Sequence, residues 1–142
     1  MFILLFFVAC NDNSIAPSID QLNLKKGAVI SCGPRDQEFG TAGFEISGSE
    51  KIKKDFDLAI ALLHSFEYDE AEKVFAKIIE EEPSCAMAYW GVAMSNYHPL
   101  WAPPTHEELQ KGSKAIIIAQ SISEKSPREA AYIDAMAVFF KD

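Results

Sequence analysis

Residues 56–97 read FDLAIALLHSFEYDEAEKVFAKIIEEEPSCAMAYWGVAMSNY, and their hydrophobic spacing decides the fold class. Ile52, Phe56, Ala59, Leu63 and Phe66 recur at steps of three and four, so they share one stripe of a helix, with Lys53, Lys54, Asp57 and Ala61 elsewhere. Ala71, Val74, Phe75, Ile78 and Ile79 repeat the spacing, with Glu72, Lys73, Lys77 and Glu80 opposite. Two such stripes can face each other across the short link between them. Pro83 then marks a turn, and residues 85–97 open a further pair. The expectation is an all-α chain, an antiparallel helix-hairpin array of about five helices, preceded by a short irregular or β-hairpin-like segment.

Outward from this unit, composition bounds what the chain does. It has 142 residues, 49% of them apolar, which suits one modest domain with a real core. The net charge of −8 argues against a nucleic-acid partner, because neutralising a phosphate backbone needs clustered Lys and Arg. Lys25-Lys26 and Lys51 with Lys53-Lys54 are short, interrupted runs and read as solvated faces.

Ala71, Phe75 and Pro83 lie at the offsets of the A-x3-F and later Pro of a tetratricopeptide repeat of ~34 residues. Counting back from Ala71 puts Leu58, Ala59 and Leu62 at the large, small and large positions of the first helix. Counting forward puts Tyr89, Val92 and Ala93 at the equivalent places of the next repeat, beside Trp90-Gly91. The chain therefore resembles the tetratricopeptide repeat family. The strings LLHSFEYDEA and CAMAYWGVAMSNYHPLW are similar to a bacterial subgroup known mainly as uncharacterised exported proteins. Asp55 departs from the family's aromatic or Leu, and Ile78 from its Ala. The resemblance implies a binding scaffold with a concave groove lined by first helices, here including Asp57, Ala61, His64, Ala86, Tyr89, Trp90 and Ala93.

At the start of the chain, MFILLFFVA followed by Cys10 resembles a lipoprotein signal, with cleavage before Cys10 and acylation of that residue. It lacks an early Lys or Arg, and Phe7 stands where a lipobox has Leu. The competing reading is a short buried strand or helix; nine residues cannot span a bilayer as a helix. Residues 1–10 are thus expected to be a signal, 11–49 a tether with a short extended segment, and 50–142 the repeats, truncated at the C-terminus. Within 11–49, residues 28–30 and 44–46 read as short strands, either a hairpin or a packed strap covering the end of the first helix pair.

Helix starts are signalled by Ser47 with Glu50, Asp69 with Glu72, Ser84, Thr105 with Glu108, and Ser126-Pro127 with Glu129. Between the third and fourth helices, residues 97–104, YHPLWAPP, cannot continue a helix, because three prolines each remove a donor. Leu109, Gly112, Ile116 and Ala119 then resume the pattern. Taking Gly112 as the counterpart of Ala71 leaves about seven residues beyond the ~34 of one repeat. The fifth helix carries Ala131, Ala135, Val138 and Phe139 on one side with no helix left to cover them; a fragment of a longer protein, a second chain or a fold-back would each account for this.

Catalytic and metal motifs are lacking. His64, His98, His106 and Cys85 show no ligand spacing, and no nucleophile elbow or phosphate loop occurs, so no cofactor, metal or enzymatic activity is expected. Cys32 and Cys85 either pair in an oxidising compartment or remain separate thiols. The expected function is an exported, lipid-anchored scaffold in the cell envelope that binds a protein or peptide. Tyr89, Trp90, Tyr97, His98, Leu100 and Trp101 are the candidate partner-binding residues, unless Leu100 and Trp101 merely seal the hairpin. The alternative is the N-terminal part of a larger envelope enzyme or metal-handling protein using His64, His98 and Cys85.

Overall fold

The computed structural model describes residues 18–30, 40, 42–98, 100 and 102–141, and among these the chain is all-α. A 3-10 turn at Ile19–Leu22 precedes five helices: α1 (Glu50–His64), α2 (Tyr68–Glu81), α3 (Ala86–Tyr97), α4 (His106–Ser121) and α5 (Pro127–Phe139). Residues 28–30 and 44–46 form no strand among the described residues, so the two short strands expected there are not seen. Short links set α1 against α2 and α3 against α4, and α2 packs in turn on α3.

Two of the expected helix starts are present. Thr105 and Glu108 form a reciprocal capping box at α4, and Ser126 and Glu129 form one at α5 with Pro127 in the first turn. The other three differ. α1 starts after Ser49, α2 after Glu67 and α3 after Cys85, and none of these side chains caps its helix. Long-range carboxylates have claimed two of the hydroxyls: Ser47 Oγ donates to Glu129 and Ser49 Oγ to Glu82. Asp69 lies inside the first turn of α2, paired with Lys25.

α1 closes through Phe66 N–H donating to Leu63 O and Glu67 N–H to Leu62 O, a Schellman arrangement that normally ends on glycine. Phe66 occupies that place at φ 62°, the left-handed region that a bulky side chain adopts only at a cost. The stripe expected on α1 is corrected accordingly. Ile52, Phe56 and Ala59 are buried, but Leu63 is only partly so, and Phe66, past the helix end, is exposed, while Ile60 and Leu62 take part in the core instead.

The stripe of α2 is buried as expected, and its Phe75 meets α3 at Gly91, where an added Cβ would stand 2.3 Å from the ring. Glycine is needed there because the ring occupies the side-chain space. Gly112 on α4 repeats the device for Phe140, again at 2.3 Å. α3 is buried nearly all round, including Ser95 and Asn96, because it touches each of the other four helices. On α5 the core takes Ile133 and Met136, while Ala131, Ala135, Val138 and Phe139 face outward.

Candidate functional site

The helices form two unlike layers. α3 lies against both α1 and α5, whereas α2 and α4 approach each other nowhere within 8 Å between Cα atoms. First helices that touch and second helices that splay make a curved array, with α1, α3 and α5 on the inner side. The N-terminal strap treats the two sides differently.

On the outer side, residues 18–30 follow the second helices, and the 3-10 turn packs on α4. Leu22 is fully buried there. Lys25 N–H donates to Glu72 Oε1 at 2.9 Å, and Ile30 N–H to Glu70 Oε2 at 2.7 Å. Glu72, only 1% exposed, also accepts from Lys111 Nζ at 2.9 Å and Asn96 Nδ2 at 2.9 Å. Its expected place on the solvent face of α2 is therefore wrong: a cation, an amide and a main-chain donor replace the water a buried carboxylate must give up.

On the inner side, residues 42–49 cross the first helices. The Phe44 ring lies 5.8 Å from Phe56 on α1, 6.2 Å from Trp90 on α3 and 5.3 Å from Tyr132 on α5, with the Arg128 guanidinium 4.8 Å above it. Arg128 also donates to Glu45 O at 2.7 Å. Ile46 is buried, and Ser47 presents both N–H, at 2.6 Å, and hydroxyl to the Glu129 carboxylate. Burial works against the charge of Glu129, but donors from Ser47 and Ser126 outweigh it and hold its pKa below the ordinary carboxylate value.

The sequence-predicted residues fall into separate places. Tyr89 is buried, its hydroxyl donating to Pro83 O at 3.0 Å, and burial, with the neighbouring Cys85, pushes its phenol up to about 12. It lines no open surface. Trp90 does reach the inner side but is covered by Phe44. Tyr97 packs on Phe139 at 4.9 Å and Phe140 at 5.9 Å, sealing the end of α3 against α5. His98 stacks near Tyr68 at 5.4 Å and meets Glu108 Oε1 at 3.0 Å. Burial opposes the charge of Glu108, yet the Thr105 N–H and hydroxyl and the His98 ring bring its pKa down to about 2. Leu100 is 55% exposed. Trp101, Cys10 and Cys32, with the acylation and disulfide readings that depend on them, lie outside the described residues.

Cys85 is buried, and burial raises its thiol to about 11, leaving it protonated and unreactive at neutral pH. Among the described residues no three His, Cys, Asp or Glu side chains converge as metal ligands, so His64, His98 and Cys85 are not brought together. No described helix is long and apolar enough to cross a membrane. Sequence reasoning missed Phe44, Arg128, Glu129 and Tyr132 as a group. The signal at hand is the alternation of Phe44 and Ile46, which reads as a short strand in a hairpin or as a strap over the end of the first helix pair, whereas Phe44 reaches α1, α3 and α5 together.

No protein-family model, curated protein or solved structure matches the chain.

Proposed function

We propose that this chain is a tetratricopeptide-like scaffold that binds a protein or peptide partner, carried at the cell envelope by a lipid on Cys10. The observation that carries the reading is the layering: first helices packed together, second helices splayed, and an aromatic inner side lined by Phe56, Trp90 and Tyr132. Tyr132 is the exposed member of this set, and an aromatic side chain placed on a helix loses little freedom on binding. The exposed Leu100 in the 97–104 insertion adds a second contact at the end of the hairpin.

A photo-crosslinking residue at Leu100 tests this in cells. A discrete adduct from position 100 and none from Ile117, an exposed apolar residue on α4, is the expected result. Equal adducts from both, or none from either, would contradict partner binding. Acylation is tested by labelling with a fatty-acid analogue: label on the unsubstituted chain, and none on Cys10→Ser.

A further inference from the structure

The inner side of the array is already filled, and by a segment that binds it as a peptide ligand would. Residues 42–48 make no main-chain to main-chain hydrogen bond among the described residues; their contacts are to helix side chains. Burial alternates along the segment: Phe44 and Ile46 pack on the helices while Glu45 and Ser47 are exposed. The polar contacts come from one place, the first turn of α5, where Arg128 takes the Glu45 carbonyl and Glu129 takes the N–H and hydroxyl of Ser47.

The seat is incompletely closed. Phe44 is only partly buried, and Tyr132 beside it is 43% exposed, so one wall of the aromatic clamp stands open to solvent. Gly43, immediately before Phe44, has φ 58° and open space around its Cβ direction, which gives the segment a pivot at its N-terminal end.

Resting on the scaffold reading above, we propose that the α1/α3/α5 face is a recognition site for an extended peptide of the form aromatic-x-aliphatic-Ser/Thr, and that residues 44–47 occupy it in cis. The chemistry of each position is on display: an aromatic ring between Phe56, Trp90 and Tyr132 beneath a guanidinium, a main-chain carbonyl for Arg128, an aliphatic side chain, and a hydroxyl with its own N–H for Glu129. An external peptide enters by displacing residues 44–47. Tethering gives the resident segment an effective concentration in the millimolar range, so a competitor of equal intrinsic affinity binds weakly until the resident anchors are removed.

The test uses a fluorescent peptide of residues 42–49, AGFEISGS, titrated by anisotropy into the full chain and into the chain bearing Phe44→Ala with Ser47→Ala. The doubly substituted chain is expected to bind at least about tenfold more tightly than the unsubstituted one, because the tethered competitor is gone. Replacing Phe by Ala in the peptide, or adding Tyr132→Ala to the protein, is expected to abolish binding. Should the double substitution impair folding, the unsubstituted chain supplies the second measurement: millimolar peptide must accelerate hydrogen exchange at the Ser47 N–H by displacing it. Absence of saturable binding to a natively helical variant, binding indifferent to the peptide's Phe, or no acceleration at Ser47 would overturn the proposal. If the peptide fails while position 100 still crosslinks a partner, this ligand class is wrong and the scaffold reading stands.

Discussion

The outer and inner halves of the strap are pinned by the same device, a main-chain N–H given to a helix carboxylate, yet they differ in what surrounds it. On the outer side Glu72 is cross-braced by Lys111 and Asn96, and the fully buried Leu22 lies beside the splayed second helices. On the inner side Glu129 meets hydroxyls and N–H groups, and the anchoring ring of Phe44 is only partly covered. The outer half is tied into the fold through the buried Leu22 and the buried Glu72. The inner half is an occupant of a surface. The lesson is that a segment's attachment is judged by what its removal would leave behind: a buried unpaired charge and a void outside, an aromatic groove inside.

Removing Phe75 should have the largest effect and fall on both halves. Phe75→Ala empties the fully buried space against Gly91 and should cost about 3–5 kcal/mol in urea unfolding. Glu72→Ala should cost about 3 kcal/mol, because it leaves Lys111 without its buried counter-charge, and the loss of exchange protection should centre on Lys25 rather than Ser47. Phe44→Ala should cost only about 1–2 kcal/mol, the value of a half-buried ring, while raising the accessibility of Trp90 to a fluorescence quencher. An unchanged Trp90 signal would mean the ring does not cover it.

Acid sharpens the same contrast. The pKa of Glu129 is depressed in the folded chain, so its contribution is present above the unfolded carboxylate value of about 4.3 and is lost as pH falls through the folded value. Protection of the Ser47 N–H should therefore decline on acidification, and Glu129→Gln should flatten that decline. Glu108 behaves likewise, its folded value being about 2, and Thr105→Ala, which removes its capping partner, should cost about 1 kcal/mol near neutral pH.

Much of the helical scaffold was legible in the sequence because its determinants are local. The stripe of α2, the capping boxes at Thr105 and Ser126, and the exposed Ala131, Ala135 and Val138 all follow from spacing within a few residues. What escaped depends on partners far apart in the chain. Ser47 looked like a cap for α1, but its partner Glu129 lies 82 residues away. Glu72 looks solvated because periodicity places it opposite the apolar stripe, and a strap residue 47 positions earlier, an asparagine 24 positions later and a lysine 39 positions later make its burial tolerable. Trp90 lies on α3 against the Phe44 ring, and periodicity carries no information about which segment of the same chain lies over it.

The independence of the two strap halves is tested most directly by native-state hydrogen exchange at two amides, Lys25 and Ser47, followed as a function of low urea. The Lys25 N–H, held by the buried Glu72, should exchange close to the global unfolding limit with a strong urea dependence. The Ser47 N–H should exchange orders of magnitude faster, through a local opening nearly insensitive to urea. Equal rates with equal urea dependence would show that the strap leaves as one piece, and would contradict the picture of residues 44–47 as a separable occupant of the inner face.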